Sequence, residues 1–149
     1  MNNLAIRKNI RLKYYDYKQN GYYFVTICCS DMKHNIARYR ELTEKILHHL
    51  PKIFSGLSID YFVLMPSHLH IIFVFQNVRD RFARPVSLGE VVRTYKALVT
   101  KETKIKNFWQ RNYYEHVIRN EEALLKIRGY IQNNPQAAEV NFEEFYKRA

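Results

Sequence analysis

The sequence predicts an α+β fold, with an antiparallel sheet built in the order β-α-β-β-α-β and one further helix at its C-terminal end. Three observations predict it. Tyr61–Met65 and Leu69–Phe75 are apolar runs of strand length separated only by Pro66-Ser67, a gap that admits a tight turn and no helix. Helical periodicity fills the stretches on either side, 37–54 and from Leu88 onward. Beyond each helix lies one more run rich in aromatic and β-branched residues, Tyr22–Cys29 and Phe108–Ile118. This order is the split β-α-β, ferredoxin-like arrangement, shared with RNA-recognition domains, in which two helices pack on one face of the sheet.

Each element has its own justification. Gly21 opens the first strand. In the first helix Leu42, Ile46, Leu50 and Ile53 recur at spacings of three to four with charges between, and Pro51 should kink or end it. Gly56 opens the turn into the central pair. Ile71–Phe75 is apolar at every position, as expected of a strand covered on both faces. Gln76–Val86 is poor in apolar residues and reads as a mobile basic loop carrying Arg79, Arg81 and Arg84. Ser87 followed by Glu90 is a capping-box pattern that starts the second helix near Leu88. Its buried stripe is Val91, Tyr95, Leu98 and Val99, and its exposed side is basic, with Arg93 and Lys96. Gln110-Arg111 interrupts the last strand and is a candidate ligand-facing pair. Asn120 caps a final helix with Glu121 and Glu122 in its first turn, and Pro135 stops it.

A length of 149 residues suits a single domain, and no boundary or repeat is visible. No apolar run approaches the ~20 residues of a bilayer span. The N-terminus has no apolar signal core, and adjacent Cys28 and Cys29 read as free thiols, so a reducing cytoplasm is expected. Lys and Arg number 24 against 14 Asp and Glu, a net charge of +10, which points to an anionic polymer as partner. Twelve tyrosines among these cations suit single-stranded nucleic acid, where bases stack and phosphates pair. Residues 1–20 concentrate the pattern: Arg7, Lys8, Arg11 and Lys13 stand beside Tyr14 and Tyr15, either as a gripping arm or as a solvated terminus.

Two constellations carry chemistry. His68 and His70 are two apart on a predicted strand and so project to one face, as half of a divalent-metal site or as two polar residues on a wetter face. Tyr130 and Asn134 are four apart on the last helix and share a face. By spacing alone Tyr130 simply packs that helix.

The blocks RLKYYDYKQNGYYFVTIC, MPSHLHIIF, SLGEVVRTYKAL and WQRNYYEHVIRNEEALLKIRGYIQNNP, in that order, resemble the single-tyrosine HUH transposases, most closely their REP-associated branch. The resemblance spans nearly the whole chain. It implies that His68 and His70 are metal ligands, that Asn134 is a third ligand where the insertion-sequence branch more often has Gln, and that Tyr130 is the catalytic nucleophile. The ion implied is Mg²⁺ or Mn²⁺. The activity implied is nicking and rejoining of single-stranded hairpin DNA through a 5′-phosphotyrosine, by a cytoplasmic, nucleoid-associated protein, with a monomer favoured over a homodimer that exchanges the tyrosine helix. The alternative from another class is a non-catalytic single-strand-binding module with the fold of RNA-recognition domains.

Overall fold

A twelve-residue strand whose first six residues are all buried needs partners along both edges and cover on both faces, and the sheet is built around it. The computed structural model describes residues 15–30 and 36–147. In it β3 (His68–Arg79) pairs antiparallel with β2 (Ser55–Leu64) on one edge and β1 (Gly21–Cys28) on the other. β1 in turn pairs antiparallel with β4 (Tyr114–Ile118), giving the order β2-β3-β1-β4. A 3-10 turn at Ile36–Tyr39 leads into α1 (Arg40–Ile53). Then follow α2 (Leu88–Thr103), α3 (Glu121–Asn133) and a closing 3-10 turn, Phe142–Tyr146.

Strand alternation sorts the side chains into two cores. Tyr23, Val25 and Ile27 of β1 and Leu69, Ile71, Phe73 and Phe75 of β3 meet Leu47 and Leu50 of α1 and Val91, Tyr95 and Val99 of α2. Phe24, Ile72 and Ile118 turn the other way and meet Ala123, Leu124, Ile127 and Ile131 of α3. The expected two helices on one face are therefore α1 and α2, while α3 covers the opposite face. The unbroken apolar run of β3 demands that second cover: an open face would leave Phe24 and Ile72 in water, at about 25 cal/mol per Å².

Local signals set the boundaries. Ser87 Oγ accepts from the Glu90 N–H at 3.3 Å while Glu90 Oε2 accepts from the Ser87 N–H at 2.8 Å, the reciprocal cap of α2. Asn120 Oδ1 accepts from the Ala123 N–H at 2.8 Å at the start of α3. Gly56 lies inside β2 with φ +83°, where an added Cβ would stand 2.3 Å from Gln76 O, so only glycine fits this irregularity in the β2–β3 register. Pro51 sits within α1, which ends two residues later.

Two segments differ from expectation. β3 continues through Arg79, so the connector is only 80–87, and it is tied internally: Asp80 Oδ1 accepts from the backbone N–H of Phe82 (2.8 Å) and Arg84 (3.0 Å). The last strand is shorter than 108–118. Asn107 (φ 57°) and Asn112 (φ 62°) break the extended backbone, leaving Phe108 and Trp109 in the α1–α2 core with a single bridge, Cys29 to Trp109. Cys28 and Cys29 form no disulfide. No helix among the described residues is long and apolar enough to cross a membrane.

Candidate active site

His68 and His70 stand at the start of β3 on the face shared with Ile72, the α3 side. They are 4% and 1% exposed, with ring centroids 4.8 Å apart and the Phe24 ring stacked beside His70 at 5.3 Å. Each ring is held at both nitrogens. His70 Nδ1 is 2.8 Å from Thr26 Oγ1 on β1, its partner in the strand register, and its Nε2 donates to Ala137 O at 2.8 Å. His68 Nδ1 faces Ser67 Oγ at 3.3 Å, and its Nε2 donates to Pro135 O at 3.0 Å. Burial is the main force lowering both imidazole pKa values. The neighbouring His68 adds to it at His70, which falls from 6.5 to about 4, while the carbonyl bonds pull the other way. Both rings are therefore neutral at pH 7, the form that ligates metal.

The carbonyls come from the turn that ends α3. Asn134 caps the helix: its backbone N–H donates to Tyr130 O at 2.8 Å and its Nδ2 donates to the same oxygen at 3.0 Å. Pro135 prevents further helix. A turn closed by the Ala137 N–H on Asn134 O (3.1 Å) then lays residues 135–137 over the histidines. The chain beyond stays on this face. Phe142 stacks on His116 at 4.1 Å and meets Phe24 edge-on at 5.1 Å. The Tyr146 hydroxyl accepts from the Arg119 N–H (3.1 Å), lies 2.7 Å from His116 Nε2, and has the Arg119 guanidinium 3.8 Å over its ring. Burial, with a smaller contribution from Arg119, lowers the His116 pKa to about 4. Tyr130 is half-buried on the flank of α3, its ring edge-on to Phe145 at 5.5 Å. A bidentate pair, Arg128 Nε to Asp60 Oδ2 at 2.7 Å and Nη2 to Oδ1 at 2.5 Å, fastens α3 to β2.

The fold thus brings His68, His70 and the end of the Tyr130–Asn134 helix together. Among the described residues no third His, Cys, Asp or Glu joins the histidine pair to complete a metal-holding group. Gln110, half-buried, and Arg111, exposed, line a small cleft with Thr26 and Cys28 at the same end of the sheet. Arg79, Arg81 and Arg84 lie at the other end of β3, roughly 35 Å from His68 at 3.3 Å per residue. Phe82 stands between the last two, 62% exposed, with the Arg81 and Arg84 guanidinium carbons 4.7 and 5.2 Å from its ring centroid. Sequence reasoning passed over Phe82; its signal is a lone aromatic among three arginines.

Other candidates are placed differently. Arg93 is exposed on α2. Lys96, expected on the exposed basic side of α2, instead turns its ammonium inward to Gln110 O (2.9 Å) and Asn112 O (2.6 Å), where it holds the loop before β4. Tyr15 is half-buried: its ring packs against Tyr17 at 4.9 Å and its hydroxyl is 3.2 Å from that of Tyr23, so it docks the incoming chain onto the core. Arg7, Lys8, Arg11, Lys13 and Tyr14 lie outside the described residues. Thr26 was also missed, because its pairing with His70 exists only once β1 and β3 are in register.

No protein-family model matches the chain. A Haemophilus influenzae protein of uncharacterised function is 39% identical, the match covering 87% of this chain and 88% of that one. A second Haemophilus influenzae protein, provisionally named a REP-associated tyrosine transposase, is 24% identical over 80% of this chain and 73% of its own. Among solved structures, a REP-associated tyrosine transposase bound to a REP hairpin superimposes with a TM-score of 0.69 at 21% identity, covering 86% of this chain and 72% of that chain. With its four-stranded antiparallel sheet between α1 and α2 on one face and α3 on the other, the chain has a fold similar to that of the REP-associated tyrosine transposase.

Proposed function

We propose that this chain is a metal-dependent endonuclease and strand transferase that recognises hairpin DNA and cuts its single strand through a covalent phosphotyrosine at Tyr130, on a ferredoxin-like scaffold. The observation carrying this reading is the approach of both histidine Nε2 atoms to Pro135 and Ala137, the residues that directly follow the Tyr130–Asn134 helix end. The residue types suit a divalent cation: two imidazoles stand side by side with their Nε2 atoms toward one segment, and the Asn134 amide, its nitrogen used on Tyr130 O, keeps its carbonyl oxygen. His68, His70 and Asn134 would hold Mg²⁺ or Mn²⁺, which when bound stabilises charge on the scissile phosphate. Ligation at Nε2 requires the 135–137 segment to draw back from the rings.

In the proposed reaction the Tyr130 oxygen attacks the scissile phosphorus and its proton passes to water. The bond to the 3′ oxygen breaks, that oxygen takes a proton from water, and a free 3′-hydroxyl and a 5′-phosphotyrosine result. Attack by a 3′-hydroxyl on that linkage reverses the step and reseals the strand. Arg79, Arg81, Arg84, Arg93 and Arg111 would pair with backbone phosphates, and Phe82 would stack on an unpaired base. The hairpin bound by the structural neighbour supports this choice of partner. We place the activity in the cytoplasm, at the nucleoid, in a monomer.

One observation favours the non-catalytic binding module instead: both histidines already have a structural use, tying the chain after α3 to the sheet. One experiment separates the readings. The protein is incubated with hairpin-bearing single strands and Mn²⁺ and run on a denaturing gel. Covalent adducts are expected from the wild type and none from Tyr130→Phe, which should still bind the hairpin. Adducts that persist in Tyr130→Phe reject the tyrosine assignment, and hairpin binding without adducts from the wild type supports the module.

A further inference from the structure

The hydrogen-bond pattern around His70 assigns a hydrogen on each atom. Ala137 O can only accept, so His70 Nε2, 2.8 Å away, carries the ring's hydrogen. A neutral imidazole has one N–H, so Nδ1 is a bare acceptor and the Thr26 hydroxyl, at 2.8 Å, donates to it. This is the opposite tautomer from the one a metal ligand needs. For Nε2 to offer a lone pair, the hydrogen must sit on Nδ1, and the group facing Nδ1 must then accept it.

We propose that Thr26 is a positioning residue that serves His70 in both tautomers, donating to Nδ1 while Nε2 is capped by Ala137 O and accepting from Nδ1–H when Nε2 faces a divalent cation. This rests on the metal-site reading above. A hydroxyl does both by rotating about its Cβ–Oγ1 bond, without moving a heavy atom. The exchange moves one hydrogen between ring nitrogens and leaves the net protonation of the ring unchanged. Thr26 is 1% exposed and faces His70 directly across the β1–β3 register, so water does not take its place. A carboxylate there would only accept and a valine would do neither. The ligating tautomer depends on this contact more strongly, because an N–H on a metal-bound ring is polarised and its partner raises the basicity of the ligating nitrogen.

The test uses the full chain with Mn²⁺ and Mg²⁺ as probes. Mn²⁺ affinity is read by electron paramagnetic resonance, with His68→Ala as the control that defines site-specific binding. The His70 tautomer is read from ring ¹⁵N shifts in EDTA and in saturating Mg²⁺. Thr26→Val, nearly isosteric, is expected to weaken Mn²⁺ binding about 10- to 100-fold, and Thr26→Ser to stay within about threefold of wild type. The wild-type ring is expected as Nε2–H in EDTA and Nδ1–H in Mg²⁺. Unchanged Mn²⁺ affinity in a folded Thr26→Val protein, or an Nδ1–H ring in EDTA, overturns the role of Thr26 while leaving the metal site standing. Absence of any His68-dependent Mn²⁺ binding in the wild type overturns the metal reading and this inference with it. Should Thr26→Val fail to fold, the tautomer measurement on the wild type decides.

Discussion

Acid should weaken this protein through its buried histidines, and His70 isolates one such contribution. The side chain is 1% exposed, its Nε2 hydrogen bonded to Ala137 O and its Nδ1 to Thr26, and its folded pKa is near 4 against 6.5 for the free ring. Between those two values the unfolded chain binds a proton that the folded chain refuses. The stability tied to the neutral ring is thus complete above pH 6.5 and is lost as pH falls toward 4. At 1.36 kcal/mol per pH unit the whole effect is about 3 kcal/mol, of which about 2 kcal/mol disappears between pH 7 and pH 5. Urea unfolding at both pH values, in EDTA, of wild type and His70→Gln measures it. Whatever glutamine does to absolute stability, the wild type should lose about 2 kcal/mol more than the variant on acidification, since the other titrating groups are common to both. Parallel losses in the two proteins would refute the placement of a neutral, sealed imidazole at this position.

Three further outcomes follow from named contacts. Gly56→Ala should cost about 1–3 kcal/mol in urea unfolding, because its φ of +83° and the approach of Gln76 O leave no room for a methyl group. Removing Asp60 and Arg128 singly and together should show a coupling of about 1–2 kcal/mol in a double-mutant cycle, with the bidentate geometry lifting it above an ordinary surface pair. Phe82→Ala should weaken hairpin-DNA binding in a fluorescence titration by about 5- to 100-fold, one base stack, while the melting temperature holds, because the ring is 62% exposed and supports no core.

Sequence legibility followed range. The capping box at Ser87 and Glu90, the Asn120 cap and the Pro66-Ser67 turn were readable because each is a contact between residues at most three apart. The shared face of His68 and His70 was readable from the two-residue period of a strand. Less was legible in 107–113, where two asparagines in left-handed conformations break what reads as one strand, and in Lys96, whose charge looks solvent-bound until the loop it holds is seen. Tyr15 looked like part of a basic arm because its partner Tyr23 is a strand away.

By itself the sequence determined the strand and helix order, the basic charge and the imidazole pair, all consequences of short-range periodicity and composition. Tertiary structure alone decided which face each helix covers, and so that the turn after α3 lies over the histidines. It also set Thr26 behind His70 and the carbonyls of Pro135 and Ala137 in front. Those contacts join residues 44 and 67 positions apart, and no local rule fixes them; they exist because burying both faces of β3 leaves the chain one place to go.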